Sequence, residues 1–200
     1  MSRIANLAAS STLIFMAILL VLSRIPLQGF VPPILLVIVS ALLVTIIVRV
    51  IDGPKPSIIA FSAIFGFCLI LAAWGFTTIV FYPSGHDGFV YHLTAIWDLA
   101  AGWNPILSPH NNIWVDSYPT GYWALEGFIV STTGLPLSGQ SLIVGLMVVL
   151  AVQAYAFFFE RVGPLLPSHQ NIISLFFAAL VVCNPAVVTQ VQTHYVDAPL

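Results

Sequence analysis

The chain has 200 residues, 60% of them hydrophobic and only 6% charged, with a net charge of −2 and a mean hydropathy of +1.04. A soluble globular domain carries roughly 25% charged residues, so this composition excludes one, and the recurring uncharged runs of about 20 residues are those of bilayer-crossing helices. The slightly acidic balance excludes a nucleic-acid partner, and Cys68 and Cys183, each inside an apolar run, read as buried free thiols without metal-ligand spacing.

In chain order, Ile4 to Ser23 is uncharged and bracketed by Arg3 and Arg24. It is long for the apolar region of a signal peptide and has no small-x-small cleavage site, so it reads as a retained first span. Pro32 and Pro33 suit a helix start, which predicts a second span from about Pro32 to Ile51. The turn Asp52-Gly53-Pro54 follows, and Ile58 to Tyr82, without a charge, is the third span. Ser141 to Phe159 is a fourth, ending at Glu160-Arg161, and Asn171 to about Gln190 is a fifth. Leu200 falls inside a continuing segment, so the expectation is the N-terminal part of a longer protein. The implied division is a transmembrane hairpin over 1–56 and a second module over 57–200.

Basic residues set the orientation. Arg49 and Lys55 place the 49–56 turn in the cytoplasm, with Arg3 on the same side. The third span then runs outward, and the loop after it, free of Lys and Arg from Ser84 to Gly127, is extracytoplasmic. Arg24 falls on the outer side, against the rule. Arg161 places 160–170 inside, which requires an odd number of spans between that turn and the loop. Tyr122 to Thr133 is roughly 18 Å long as a helix, too short for a hydrocarbon core of about 30 Å, and it contains Glu126 and Gly127. The stretch 121–134 therefore reads as an interfacial helix. The expected fold is an all-α polytopic membrane protein with five spans and two interfacial amphipathic helices in a long outer loop, 83–140.

That loop concentrates the chemistry. Ser84 to Gly127 holds four of the seven acidic residues, three of the five His and four of the five Trp. Asp87 precedes a run in which Phe89, Leu93, Ile96, Trp97 and Ala100 form one stripe and Asp87, Tyr91, Thr94 and Asp98 the opposite one. Gly102 is the expected stop. Asp87 lies at the membrane–water boundary beside His86, Tyr91 and His92, where it serves either as a helix cap or as a base with a raised pKa. Asp197, in His194-Tyr195-Val196-Asp197, falls on the same face at the outer end of the fifth span and caps a following helix or joins the site. Asp98 and Asp116 read as solvated, and Glu126 fits either role. Asp87 and Asp197, with His92 and His194 beside them, are the candidate metal set.

The order of His86-Asp87-x3-Tyr91-His92, Gly102-Trp103-Asn104-Pro105, Tyr118-Pro119-x-Gly121-Tyr122-Trp123, Asn184-Pro185 and Tyr195-x-Asp197 between spans resembles the N-terminal half of the GT-C superfamily of membrane glycosyltransferases. That superfamily includes protein O-mannosyltransferases and aminoarabinose transferases, and the resemblance covers about residues 57–200. It implies an inverting enzyme that moves a sugar from a polyprenyl-phosphate carrier to an acceptor on the outer face. Asp87 matches the acidic position of the family's first outer loop and Asp197 that of the next. His86, Tyr91, His92, Glu126, His194 and Tyr195 would contact substrate, and a divalent cation, Mg²⁺ or Mn²⁺, would be held at Asp87 and Asp197 as in those members that use one. The chain departs from the pattern in three ways. Asp87 stands between His86 and Gly88 rather than in a doubled acid, a hairpin precedes the usual first span, and the outer loop has no base to hold a phosphate. A fragment of this kind is expected to be inactive alone. Two other readings compete, a transporter or flippase for a lipid-linked substrate and a non-catalytic membrane scaffold. The first wants ionisable groups near the bilayer midplane, which these spans almost lack.

Overall fold

The computed structural model describes residues 1–24, 31–78, 80, 88–118, 120–189 and 191, without the side chains of 88, 89, 186 and 187. Of these, 81% are helical and none is in a strand. Four helices are long and apolar enough to cross a membrane, counting the turn that leads into the last of them. They are α1 (Ser2–Arg24), α2 (Pro33–Asp52), α3 (Pro54–Thr77) and α7 (Ser141–Val162). Their ends follow local chemistry: Pro33 and Pro54 stand at first-turn positions, where the missing N–H costs nothing.

Helix α1 packs against α2, α3 and α7. The shared core is built from Phe15 and Leu19 of α1, Val44 of α2, Ile64 and Phe67 of α3 and Leu142 of α7. Buried Ser11, Ser40 and Ser57 sit among these helices, small residues that let backbones approach closely. The outward face is apolar as well: Ile34, Ile38, Leu42, Ile46 and Val50 of α2 are all exposed. A surface of that kind is stable in hydrocarbon rather than in water.

The stretch expected as the fifth span is divided. Helix α8 (Gln170–Val182) has 13 residues, about 20 Å, and stops at Cys183. The short helix α9 (Pro185–Val188) follows. Pro185 lacks an N–H and disfavours helical geometry at Asn184, which accounts for the break. Cys183, expected to be buried, is exposed at this break, while Cys68 is partly buried; both are free thiols.

The polar interval folds into a cap on one end of the bundle. A single π-helical turn (Gly88–His92) leads into α4 (Leu93–Ala100), followed by α5 (Ile113–Ser117) and α6 (Gly121–Thr133). A 3-10 turn (Ser138–Gln140) leads into α7. The stop of α4 is the expected one. Gly102 has φ 104°, the Gly102 N–H donates to Leu99 O (3.2 Å) and the Trp103 N–H to Asp98 O (2.8 Å), which closes a Schellman motif. Asn104 then donates from Nδ2 to Arg24 O at 3.0 Å, fastening the loop to a carbonyl left open at the end of α1.

The apolar stripe of α4 is rotated from the expected one. Leu93, Ala95, Ile96 and Leu99 are buried, whereas Trp97 is exposed and donates its indole N–H to Pro136 O at 2.9 Å. The cause is α6. Gly127 meets α4 so closely that a Cβ placed there would lie 2.9 Å from Ile96 O and 3.2 Å from Ala100 N. Helix α6 is itself enclosed on nearly every side. Leu125 and Phe128 join the core of the bundle, while Trp123 and Val130 join a second core with Ile96, Leu99 and Val115.

Candidate functional site

The second core carries the residues of interest. Tyr91 and His92 come from the π-helical turn, Tyr118 from the end of α5, and Trp123 and Glu126 from α6. Four rings converge. Tyr91 and His92 lie 4.3 Å apart by ring centroid, Tyr91 and Tyr118 5.5 Å, His92 and Trp123 4.9 Å, and Tyr118 and Trp123 5.8 Å. The Tyr91 and Tyr118 hydroxyls approach to 3.4 Å. Trp123 and His92 form the buried floor of this cluster, and Tyr118, 38% exposed, is its outer wall. Aromatic edges and faces arranged this way are mutually attractive and help hold the cap together.

Glu126 is fully buried, one helical turn beyond Tyr122. Its backbone and Cβ are covered by the 3-10 turn, where a Cβ on Gly139 would lie 2.8 Å from that of Glu126. The neighbouring Tyr122 hydroxyl is also buried and has no hydrogen-bond partner among the described residues. Burial first, and then the nearby Glu126 carboxylate, push the Tyr122 phenol well above its ordinary pKa. Beside this site, α1, α2, α3, α6 and α7 line an apolar cavity of about 280 Å³. Phe15, Phe67, Leu125, Phe128 and Leu142 line it.

Two acids expected to be solvated have defined partners. Asp98 Oδ2 lies 2.8 Å from His110 Nε2, and Asp116 Oδ1 accepts the His110 backbone N–H at 2.8 Å. His110 Nδ1 accepts the N–H of Asn112 at 2.9 Å, so that nitrogen carries no proton and Nε2 is the donor to Asp98. The ring of Trp103 stacks edge-on against His110 at 4.7 Å and donates its N–H to Ser108 O. Asp98, Trp103, His110 and Asp116 thus form a clasp that orders the irregular stretch between α4 and α5. Both nitrogens of His110 are engaged, which suits it to holding the loop rather than to moving protons. Nothing in the spacing of Asp98, His110 and Asp116 marks them as partners; the turn chemistry of Asn104-Pro105 and Asn111-Asn112 is the only local signal of an ordered return.

Of the residues singled out from the sequence, Tyr91 and His92 are brought together at the second core, while Glu126 lies on α6 one turn beyond Trp123 and is covered by Gly139. His86, Asp87, His194, Tyr195 and Asp197 lie outside the described residues, as does Pro119. Among the described residues no three His, Cys, Asp or Glu side chains converge to hold a metal ion, and the Asp87–Asp197 pair on which Mg²⁺ or Mn²⁺ would depend lies outside them. No family model matches the chain, and no curated protein or solved structure matches it.

Proposed function

We propose that the protein is a membrane glycosyltransferase of the GT-C kind, taking a sugar from a polyprenyl-phosphate carrier to an acceptor on the extracytoplasmic face. The observation that carries this reading is the cap. A cation-free, aromatic-rich interval folds against one end of an apolar helical bundle and assembles Tyr91, His92, Tyr118 and Trp123 around a helix that holds a buried carboxylate. The C–H face of a sugar ring stacks on such rings, and their hydroxyl edges offer hydrogen bonds. The neighbouring apolar cavity of about 280 Å³ has the character to accept part of a prenyl chain.

In this reading five segments cross the bilayer, with α8 and the residues after it forming the fifth. The N-terminus, the 49–56 turn and Arg161 are cytoplasmic, and α4 and α6 lie at the outer interface. Asp87 takes the acceptor proton, or orients the acceptor, as the lipid phosphate leaves from the opposite face of the sugar. Asp197 assists from the next outer segment. Tyr91, His92 and Glu126 shape the pocket with His86, His194 and Tyr195. The test is Asp87→Asn in the full-length protein in native membranes, assayed with a synthetic polyprenyl-phosphate hexose for release of the lipid phosphate. Transfer is expected to be lost while insertion and thermal stability are kept. Unchanged transfer removes Asp87 from the mechanism, and the absence of any transfer in the unmodified protein removes the enzyme reading.

A further inference from the structure

On α1 the exposed positions Arg3, Asn6, Ser10, Leu13 and Ala17 recur every three or four residues and form one outward stripe. On α7 the exposed positions Gln153, Phe157 and Glu160 form another, beside the first. Asn6 of α1, Gln153, Phe157 and Glu160 of α7 and Val181 of α8 together line a groove of about 480 Å³. This face differs from that of α2, whose outward residues are aliphatic from Ile34 to Ile47.

Neither carboxamide makes a hydrogen bond among the described residues, and neither Arg3 nor Glu160 is in an ion pair there. Arg161, next to Glu160, is already placed 3.5 Å over the Phe157 ring. If α1 and α7 cross a bilayer, which is part of the reading above, the Gln153 amide, two turns inside Glu160, faces hydrocarbon, and the Asn6 amide, one turn inside Arg3, lies at its edge. An unpaired amide there costs on the order of several kcal/mol, and such groups are the usual adhesive between transmembrane helices.

We propose that this face is the interface of a twofold-symmetric dimer, and that the occupant of the groove is the α1 stripe of a second copy. The chemistry is self-complementary. An amide both donates and accepts, so Asn6 of one copy can pair with Gln153 of the other, and the twofold repeats the pair. Arg3 lies one turn from Asn6 on the same face, and Glu160 lies two turns from Gln153 on its face. At 1.5 Å per residue those steps are about 4.5 Å and about 10.5 Å, and the long Arg3 side chain can span the offset of about 6 Å to the other copy's Glu160, again twice. Reciprocal pairing of this kind is what an isologous interface requires. Ser10 and Ala17 are small enough to let the two α1 helices approach.

The test uses the full chain, labelled separately with donor and acceptor dyes and reconstituted in phosphatidylcholine vesicles. Energy transfer is expected and should rise with the protein-to-lipid ratio. Gln153→Leu and Asn6→Leu, which make the helices more apolar and so preserve insertion, should each weaken association by about threefold to tenfold. Leu42→Ala on the aliphatic face of α2 should leave it unchanged. Arg3→Glu and Glu160→Arg should each weaken it, and the two together should restore it. A chain that inserts but stays monomeric overturns the dimer alone, as does a dimer indifferent to Gln153→Leu and Asn6→Leu. A chain that washes off the vesicles at alkaline pH overturns the membrane reading as well.

Discussion

Replacing Gly127 by Ala tests the joint between α4 and α6 inside the cap. The added methyl would lie 2.9 Å from Ile96 O, 3.0 Å from Leu99 Cβ and 3.2 Å from Ala100 N. Two of those three atoms are backbone of a packed helix and cannot swing aside, so α4 must move away from α6. Overpacking of this sort costs about 2–3 kcal/mol. Ala is favoured over Gly inside a helix by about 1 kcal/mol, which leaves a net loss of about 1–2 kcal/mol. For a chain of this length that lowers the midpoint of thermal unfolding by about 2–8 °C. Gly66 on α3 is the matched control. A Cβ there meets nothing within 4 Å, so Gly66→Ala keeps the propensity gain and should raise the midpoint by about 2–4 °C. Tryptophan fluorescence in mild detergent reads both effects, because four of the five Trp lie in the cap and Trp123 is fully buried. Gly127→Ala should also shift the emission to the red as α4 lifts. A Gly127→Ala midpoint equal to or above that of the unmodified chain, with unchanged emission, would refute the close approach of α4 and α6 and with it the cap described here.

Two further outcomes follow from the polar contacts. His110→Ala removes the acceptor of the Asn112 N–H and the partner of Asp98. Asp98 is about half exposed, so its share is small, and the total cost is about 1–2 kcal/mol. Protease cleavage between 104 and 112 should accelerate about fivefold to thirtyfold, and unchanged cleavage would show that the clasp does not hold the loop. Tyr122 should remain protonated at alkaline pH values that ionise a free phenol, as read by phenolate absorbance. Its folded-state pKa is raised, whereas the unfolded phenol ionises near pH 10. Above about pH 10 the unfolded chain gives up a proton that the folded chain keeps, so stability falls with rising pH by up to about 1.4 kcal/mol per unit. Tyr122→Phe should remove that slope without lowering stability at neutral pH, because the hydroxyl it deletes is buried and unpartnered among the described residues.

The elements legible in the sequence were those written in strong local signals. An uncharged run, a pair of prolines or a glycine after an amphipathic turn locates α1, α2, α7 and the end of α4 within a few residues. The helix expected over 121–134 is observed as Gly121–Thr133. The rotation of α4 was not legible. Periodicity says that Leu93 and Ile96 share a face, but whether Trp97 or Leu99 completes it depends on which side α6 approaches, and Gly127 makes that choice from 27 or more positions away. The clasp was hidden for the same reason. Asp98 and Asp116 look solvated in isolation, and only the return of the chain brings His110 between them.

Glu126 and Gly127 show how one signal served two purposes. Both lowered the case for a bilayer-crossing helix, since a carboxylate is costly in hydrocarbon and glycine is a poor helix former. In the folded chain each is used for packing. Gly127 admits the backbone of α4, and Glu126 is covered by the turn at Gly139 before α7 begins. Helix α6 is therefore fixed on one side by α4 and on another by the entry to a membrane-length helix. A change at either glycine reaches Tyr91, His92 and Tyr118 through Trp123 rather than through solvent. If the proposed transfer takes place on these rings, Gly127→Ala should lower it in proportion to the displacement of α4, although Gly127 itself touches no substrate.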